Sequence, residues 1–172
     1  TGSPDRPATD LGYLLHKHPD RAQSFAVAAG QAHVFYPEAA PDRCTAALLL
    51  EVDPIGLVRG HKGQDKDIAL GQYVNDRPYA ASSMLAVAIK EAFRTALTGR
   101  CDARPALAAS RIPLTINVPA LRCRGGTTLA RRVFEPLDWT VEATRNLLTP
   151  PEWGDSPYLG LRLTGELRLA DA

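Results

Sequence analysis

The tetrad Asn75-Asp76-Arg77-Pro78 constrains the fold of this chain more than any other stretch. Pro78 has no amide hydrogen and pushes Arg77 out of the α region, so neither a regular helix nor a central strand can pass through. A fixed corner is therefore expected there, with β-prone runs before it and the longest helical pattern after it. The surrounding stretch, Gln72 to Tyr79, places Tyr73 and Tyr79 beside Asn75, Asp76 and Arg77. Tyrosine and arginine are enriched where proteins bind one another, so this is recognition chemistry without catalytic chemistry. The plainer alternative is a well-made turn whose tyrosines lie half-buried against a sheet.

A chain of 172 residues can bury roughly 70% of its unfolded surface and needs neither metal nor disulfide to fold. The 20 basic and 19 acidic side chains nearly cancel, which argues against whole-protein attraction to nucleic acid and leaves room only for a local basic patch. Cys44, Cys101 and Cys123 are widely spaced, with no Cys-x-x-Cys pair. They fit small buried hydrophobes in a reducing cytosol better than a disulfide framework or zinc site. No 18-residue apolar run and no charged-then-apolar leader is present, so a cytoplasmic protein without membrane contact is expected.

Thr9 or Asp10 is placed to cap a short helix through Leu11, Leu14 and Leu15 that ends at Pro19. Residues 24–29 and 31–36, hinged at Gly30, and residues 45–52, stopped by Asp53-Pro54, read as three neighbouring strands. Residues 59–71 are rich in glycine and charge and read as a surface loop of open role. Over 81–98, Leu85, Ala88, Ile89, Ala92, Phe93 and Ala96 recur at helical spacing, with Ser82 or Ser83 as cap, Gly99 as stop and Lys90, Glu91 and Arg94 outward. Beyond Pro105 follow an extended segment at 112–118, a helix at 127–135, a strand at 139–144 and an alternating strand or bent hairpin at 158–169. The expected class is α+β, with mixed, largely antiparallel sheets and a long central helix. Lobes 1–98 and 99–172 share a helix-then-strand order that suggests related units, although no residue-level repeat supports duplication.

The chemistry-bearing residues are sparse. His16 and His18 point about 200° apart on a helix, so one ion does not reach both. Glu51 and Asp53, two apart on one strand face, could act as an acid pair, but Asp53-Pro54 is also an ordinary strand-ending turn, which is the reading we favour. In Arg122-Cys123-Arg124-Gly125-Gly126-Thr127-Thr128, glycines ahead of a helix and the arginines Arg122, Arg124, Arg131 and Arg132 could hold a phosphate or RNA end. The same run fits a threonine-capped helix start, which is the reading we favour. Phosphate-loop, nucleophile-elbow and zinc-protease motifs are missing, and no metal ligand set or cofactor site is expected.

Five separated strings carry a resemblance: Asp10-Leu11-Gly12-Tyr13-Leu14-Leu15-His16-Lys17-His18-Pro19, Val34-Phe35-Tyr36-Pro37, Leu48 to Pro54, Gln72 to Tyr79, and Glu152-Trp153-Gly154-Asp155-Ser156-Pro157-Tyr158. In this order they resemble the amino-terminal half of the bacterial 3'-terminal RNA ribose 2'-O-methyltransferases. The resemblance implies a non-catalytic module of an RNA repair system that binds the polynucleotide kinase-phosphatase-ligase and activates its ligase domain. It further implies a carboxy-terminal methyltransferase domain, absent from this chain, which would hold S-adenosylmethionine and a divalent metal. Family members also carry a short apolar strand just upstream of Pro7; the resemblance therefore implies a first strand that this chain does not supply and an open edge on the sheet it joins.

A ligase must close around ATP to adenylate its lysine, and a partner that prefers the closed arrangement raises its population without supplying a catalytic group. Under that reading Tyr73, Asn75, Asp76, Arg77 and Tyr79 are the first interface candidates, with Trp153 and Asp155 next. The competing expectation for Trp153 and Asp155 is structural: the ring fills the core and the carboxylate satisfies turn amides. The competing function is an RNA-end or phosphate-binding module built on the four arginines, with RNA reached through the repair complex.

Overall fold

The computed structural model describes residues 2–3, 5–28, 30–53 and 80–172. The expected corner at 72–79 and the loop at 59–71 lie outside these residues. Among the described residues the class is α+β, with two antiparallel three-stranded sheets and short helices. The chain divides into two compact units, Thr1–Ala108 and Ala109–Ala172.

In the first unit a 3-10 turn, Ala8–Asp10, leads into α1, Leu11–Leu15. Neither Thr9 nor Asp10 caps this helix through its side chain; Asp10 is itself helical in φ and ψ, and its carboxylate lies 3.7 Å from Arg104. The helix stops before Pro19, because His16 takes a left-handed conformation. Lys17 N–H then donates to Gly12 O and His16 N–H to Tyr13 O, the paired closure that ordinarily uses glycine. The His16 ring holds the corner from outside, its Nε2 lying 3.0 Å from Arg100 O.

The strands β1 (Gln23–Val27), β2 (Gly30–Ala39) and β3 (Cys44–Val52) form a simple antiparallel meander in that order. Gly30 is the hinge between β1 and β2, at φ +145°, and a Cβ there would collide with the Glu51 carbonyl. Only glycine meets both demands. Ala32 and Val34 are fully buried on the inner face. Helix α2, Ala80–Ala92, packs against all three strands. Its Ala88 and Ala92, with Ala96 beyond, are buried, small side chains that bring helix and sheet backbones close.

The continuous helix expected over 81–98 is not present. It ends at Ala92, Phe93 swings to φ −120°, ψ 27°, and a separate turn α3, Arg94–Leu97, follows. The i→i−4 bonds Phe93 N–H to Ile89 O and Leu97 N–H to Phe93 O persist on both sides, so one residue redirects the chain without proline or glycine. Ser82 and Ser83 stand in the first turn of α2 and not ahead of it, and Ile89 is exposed. Gly99 does end the segment, at φ +71° with its N–H on Ala96 O. The short helix α4, Pro105–Ala109, completes the run.

The second unit runs β4 (Ile112–Arg122), α5 (Gly126–Phe134), a 3-10 turn Glu135–Leu137, β5 (Thr140–Leu147), a 3-10 turn Pro151–Trp153 and β6 (Asp155–Leu167). The last segment is one strand, not a bent hairpin. Strand β6 is central, in the order β4-β6-β5. The first sheet instead centres on its second strand, so the two sheets have different connectivity and the expected likeness of the lobes does not extend to topology. All strand pairs among the described residues are antiparallel, which removes the mixed character expected.

Alternation builds this second core. Leu159, Leu161, Leu163 and Leu167 of β6 meet Val141, Trp139 and Ala130 of α5, with Ile116 and Val118 packed alongside. The opposite face is polar, with Asn117, Arg162 and Glu142 aligned in register across the three strands. One apolar face and one wet face are what an antiparallel sheet permits.

Candidate protein-interaction site

The β5–β6 connection is the most exposed apolar feature among the described residues. Strand β5 ends at Leu147, which pairs in register with Asp155. Leu148 N–H donates to Gly154 O, Trp153 N–H donates to Pro150 O, and Gly154 takes φ +80°. Across its base the Arg145 guanidinium donates to the Asp155 carboxylate at 2.6 Å. These bonds fix a turn that presents Trp153 at 67% exposure, beside exposed Leu147 and Leu148. Trp153 does not fill the core, and Asp155 takes Arg145, which overturns the structural expectation for both side chains. Because the turn is already closed by backbone hydrogen bonds, docking of this ring requires little further ordering of the backbone.

Tyr73, Asn75, Asp76, Arg77 and Tyr79 lie outside the described residues. The four arginines are among the described residues. Arg122 ends β4 directly opposite Tyr158 of β6, whereas Arg131 and Arg132 ride on α5, and Arg131 is taken by Glu135 at 3.4 Å. The favoured threonine cap is also not observed. Helix α5 begins at Gly126 with no side-chain cap, and the Gly126 amide is occupied by Cys123 O. Cys123 in turn donates its thiol to Gly126 O at 3.3 Å.

Sequence reasoning missed two surface clusters. Tyr13 is exposed, and the Arg104 guanidinium stacks 4.9 Å from its ring centroid while facing Asp10. Arg104 and Asp10 line a shallow cleft of about 410 Å³ together with Arg6 and Pro105. On the outer face of the first sheet, Ser24 Oγ is hydrogen-bonded to His33 Nδ1 at 2.8 Å, and His33 Nε2 faces Glu51 at 3.5 Å. Ser24 and His33 are direct cross-strand partners, which brings the two side chains together on this face. The trio is a cross-strand hydrogen-bonded network in which Ser24 and Glu51 are exposed.

His18 Nδ1 accepts from the Asp20 amide at 3.2 Å, so both histidines of the 16/18 pair have structural work. Among the described residues no three His, Cys, Asp or Glu side chains converge on a possible metal position, and no helix is long and apolar enough to cross a membrane. The three cysteines are free; Cys101 is buried and donates to Tyr13 O at 3.5 Å, while Cys44 and Cys123 are half-buried. Burial pushes the Cys44 thiol up, away from the thiolate. Burial likewise raises Tyr36 well above the usual phenol range, its hydroxyl donating to Lys17 O at 3.0 Å.

Exposed aromatic, leucine and arginine anchors on small, well-hydrogen-bonded sheets are the features of a protein-association module. The chain belongs to the family described as the RNA repair, ligase-Pnkp-associating, region of Hen1, whose model matches residues 2–172. A comparison with curated proteins returns no match.

Proposed function

We propose that this chain binds the ligase of an RNA repair enzyme and promotes its adenylation, acting as a conformational activator and not as a catalyst. The family supports association with the ligase-Pnkp partner, and the observation that carries the reading at the residue level is Trp153, 67% exposed on a turn closed by backbone bonds and by the Arg145–Asp155 pair at its base. Interface hot spots are typically such aromatic and arginine anchors, ringed by contacts that exclude water. Tyr73, Asn75, Asp76, Arg77 and Tyr79 supply the second cluster of the interface. The activation is a population shift: if the chain binds the closed ligase more tightly than the open form, adenylation rises by that differential alone. Titration of the purified ligase-bearing enzyme with Trp153→Ala and with Arg77→Ala/Tyr79→Ala tests the reading. Weaker binding and weaker activation with unchanged folding support it; unchanged affinity in both variants removes these residues from the interface.

A second reading, RNA-end binding, is favoured by one observation. Arg122, the last residue of β4, is the register partner of Tyr158 in β6, and both are exposed, a pairing suited to a phosphate and a stacked base. It predicts RNA binding by the isolated chain that falls steeply with salt, and loss of that binding in Arg122→Glu.

A further inference from the structure

Helix α5 packs on the apolar face of the second sheet through Ala130. On the opposite face the outward positions of β6 are Tyr158, Gly160, Arg162, Thr164 and Glu166, alternating with the buried leucines of the core. Arg122 stands in register with Tyr158, and Asn117 and Glu142 flank Arg162. Gly160 lies between these two rows, beside its register partner Thr144. Thr144 Oγ1 donates to Gly160 O at 3.4 Å and Asn146 Nδ2 donates to Pro119 O at 3.0 Å, so short side chains fix the floor there. A Cβ on Gly160 would stand 3.0 Å from Thr144 Oγ1. The arrangement is a shallow slot over Gly160, with the Tyr158 row at one end and the Arg162 row at the other, about 13 Å apart along the strand. Tyr158 is 39% exposed, and Arg122 and Arg162, both exposed, have no ion-pair partner among the described residues.

We propose that this slot binds a short segment of single-stranded RNA, with a base stacked on Tyr158, phosphates held by Arg122 and Arg162, and a polar base edge met by Asn117. The inference rests on the second reading above, RNA binding at Arg122 and Tyr158, and gives that reading its site and its ligand class. The outward positions on this face include no leucine, isoleucine, valine or methionine. A protein partner would therefore find no aliphatic anchor beside the ring, whereas interface centres are built on apolar packing. A single strand offers what the face can take: a base plane for the ring, polar edges for the amide and hydroxyls, and phosphates for the two free guanidiniums. A duplex keeps its bases stacked on one another and presents no base plane to Tyr158. Glu142 beside Arg162 and Glu166 beyond it repel phosphate, so the strand runs from Arg162 toward Arg122 and not the other way along the sheet.

The experiment is fluorescence anisotropy of a labelled single-stranded RNA oligonucleotide, and of a duplex of the same sequence, titrated with the full chain at several salt concentrations. Each variant is checked for folding by thermal melting. Tyr158→Ala is expected to weaken single-strand binding about 10-fold, while Tyr158→Phe, which keeps the stacking face, retains wild-type affinity. Arg122→Gln and Arg162→Gln should each lower the slope of log affinity against log salt by about one. The duplex should bind more weakly than the single strand. Wild-type RNA affinity in both Tyr158→Ala and Arg162→Gln, with binding still lost in Arg122→Glu, overturns the slot and leaves the second reading standing. RNA binding absent from the unmodified chain contradicts that reading and the inference together. Unchanged RNA affinity in Tyr158→Ala and Arg162→Gln, combined with weaker binding of both to the purified kinase-phosphatase-ligase, also overturns the inference, because the face then covers protein.

Discussion

At the scale of single residues, Trp153 carries the account. Truncation of an exposed anchor leaves the cores intact, so Trp153→Ala should shift thermal stability little while lowering ligase affinity by about 30-fold, measured by titration. Its fate was not readable from sequence: a tryptophan after Pro-Pro-Glu suits a core or a surface equally, and the hydrogen bonds that turn it outward join Pro150, Leu148 and Gly154 after folding. Tyr36 permits a pH prediction. Its folded phenol is raised by burial above an unfolded value near 10, so its contribution is complete below about pH 10 and is lost as pH rises beyond. Thermal melts between about pH 9 and 11 should show the wild type losing stability faster than Tyr36→Phe. On the acid side, Asp171 is held below the usual carboxylate range by its hydrogen bonds from Arg168. Its small contribution is present above about pH 4 and fades as pH falls. Asp171→Asn should therefore flatten the acid limb of the stability curve slightly.

At the scale of elements, the strands were readable and the long helix was not. Alternation in 158–169 and the apolar run at 45–52 report sheet faces directly, because side chains change sides at every residue. The break at Phe93 has no proline, glycine or polar insertion to announce it, and helical spacing continues on both sides. Helix caps were over-read: Asp10 and Thr127 have the right side chains, but Asp10 is drawn to Arg104, and Gly126 already begins the helix ahead of Thr127. The tightest element is the β1–β2 hinge. Gly30→Ala combines an unfavourable φ with a collision against Glu51 O, and it should cost about 2 kcal/mol or more by chemical denaturation. The surface clusters Tyr13–Arg104 and Ser24–His33–Glu51 were invisible because register and tertiary folding, not sequence proximity, create them.

At the scale of the whole molecule, near-zero net charge and two small antiparallel sheets suit a domain that works through its surface. Of the candidate interface, Trp153 and Asp155 could be named from sequence, whereas the outward setting of Trp153 required the folded turn. The measurement that bears most directly on the central claim is ATP-dependent adenylation of the purified ligase domain, without RNA, with and without this chain and across several salt concentrations. The account predicts a large rise in lysine adenylation that saturates with the chain and is reduced by Trp153→Ala. No rise from a folded chain that instead binds RNA would contradict it.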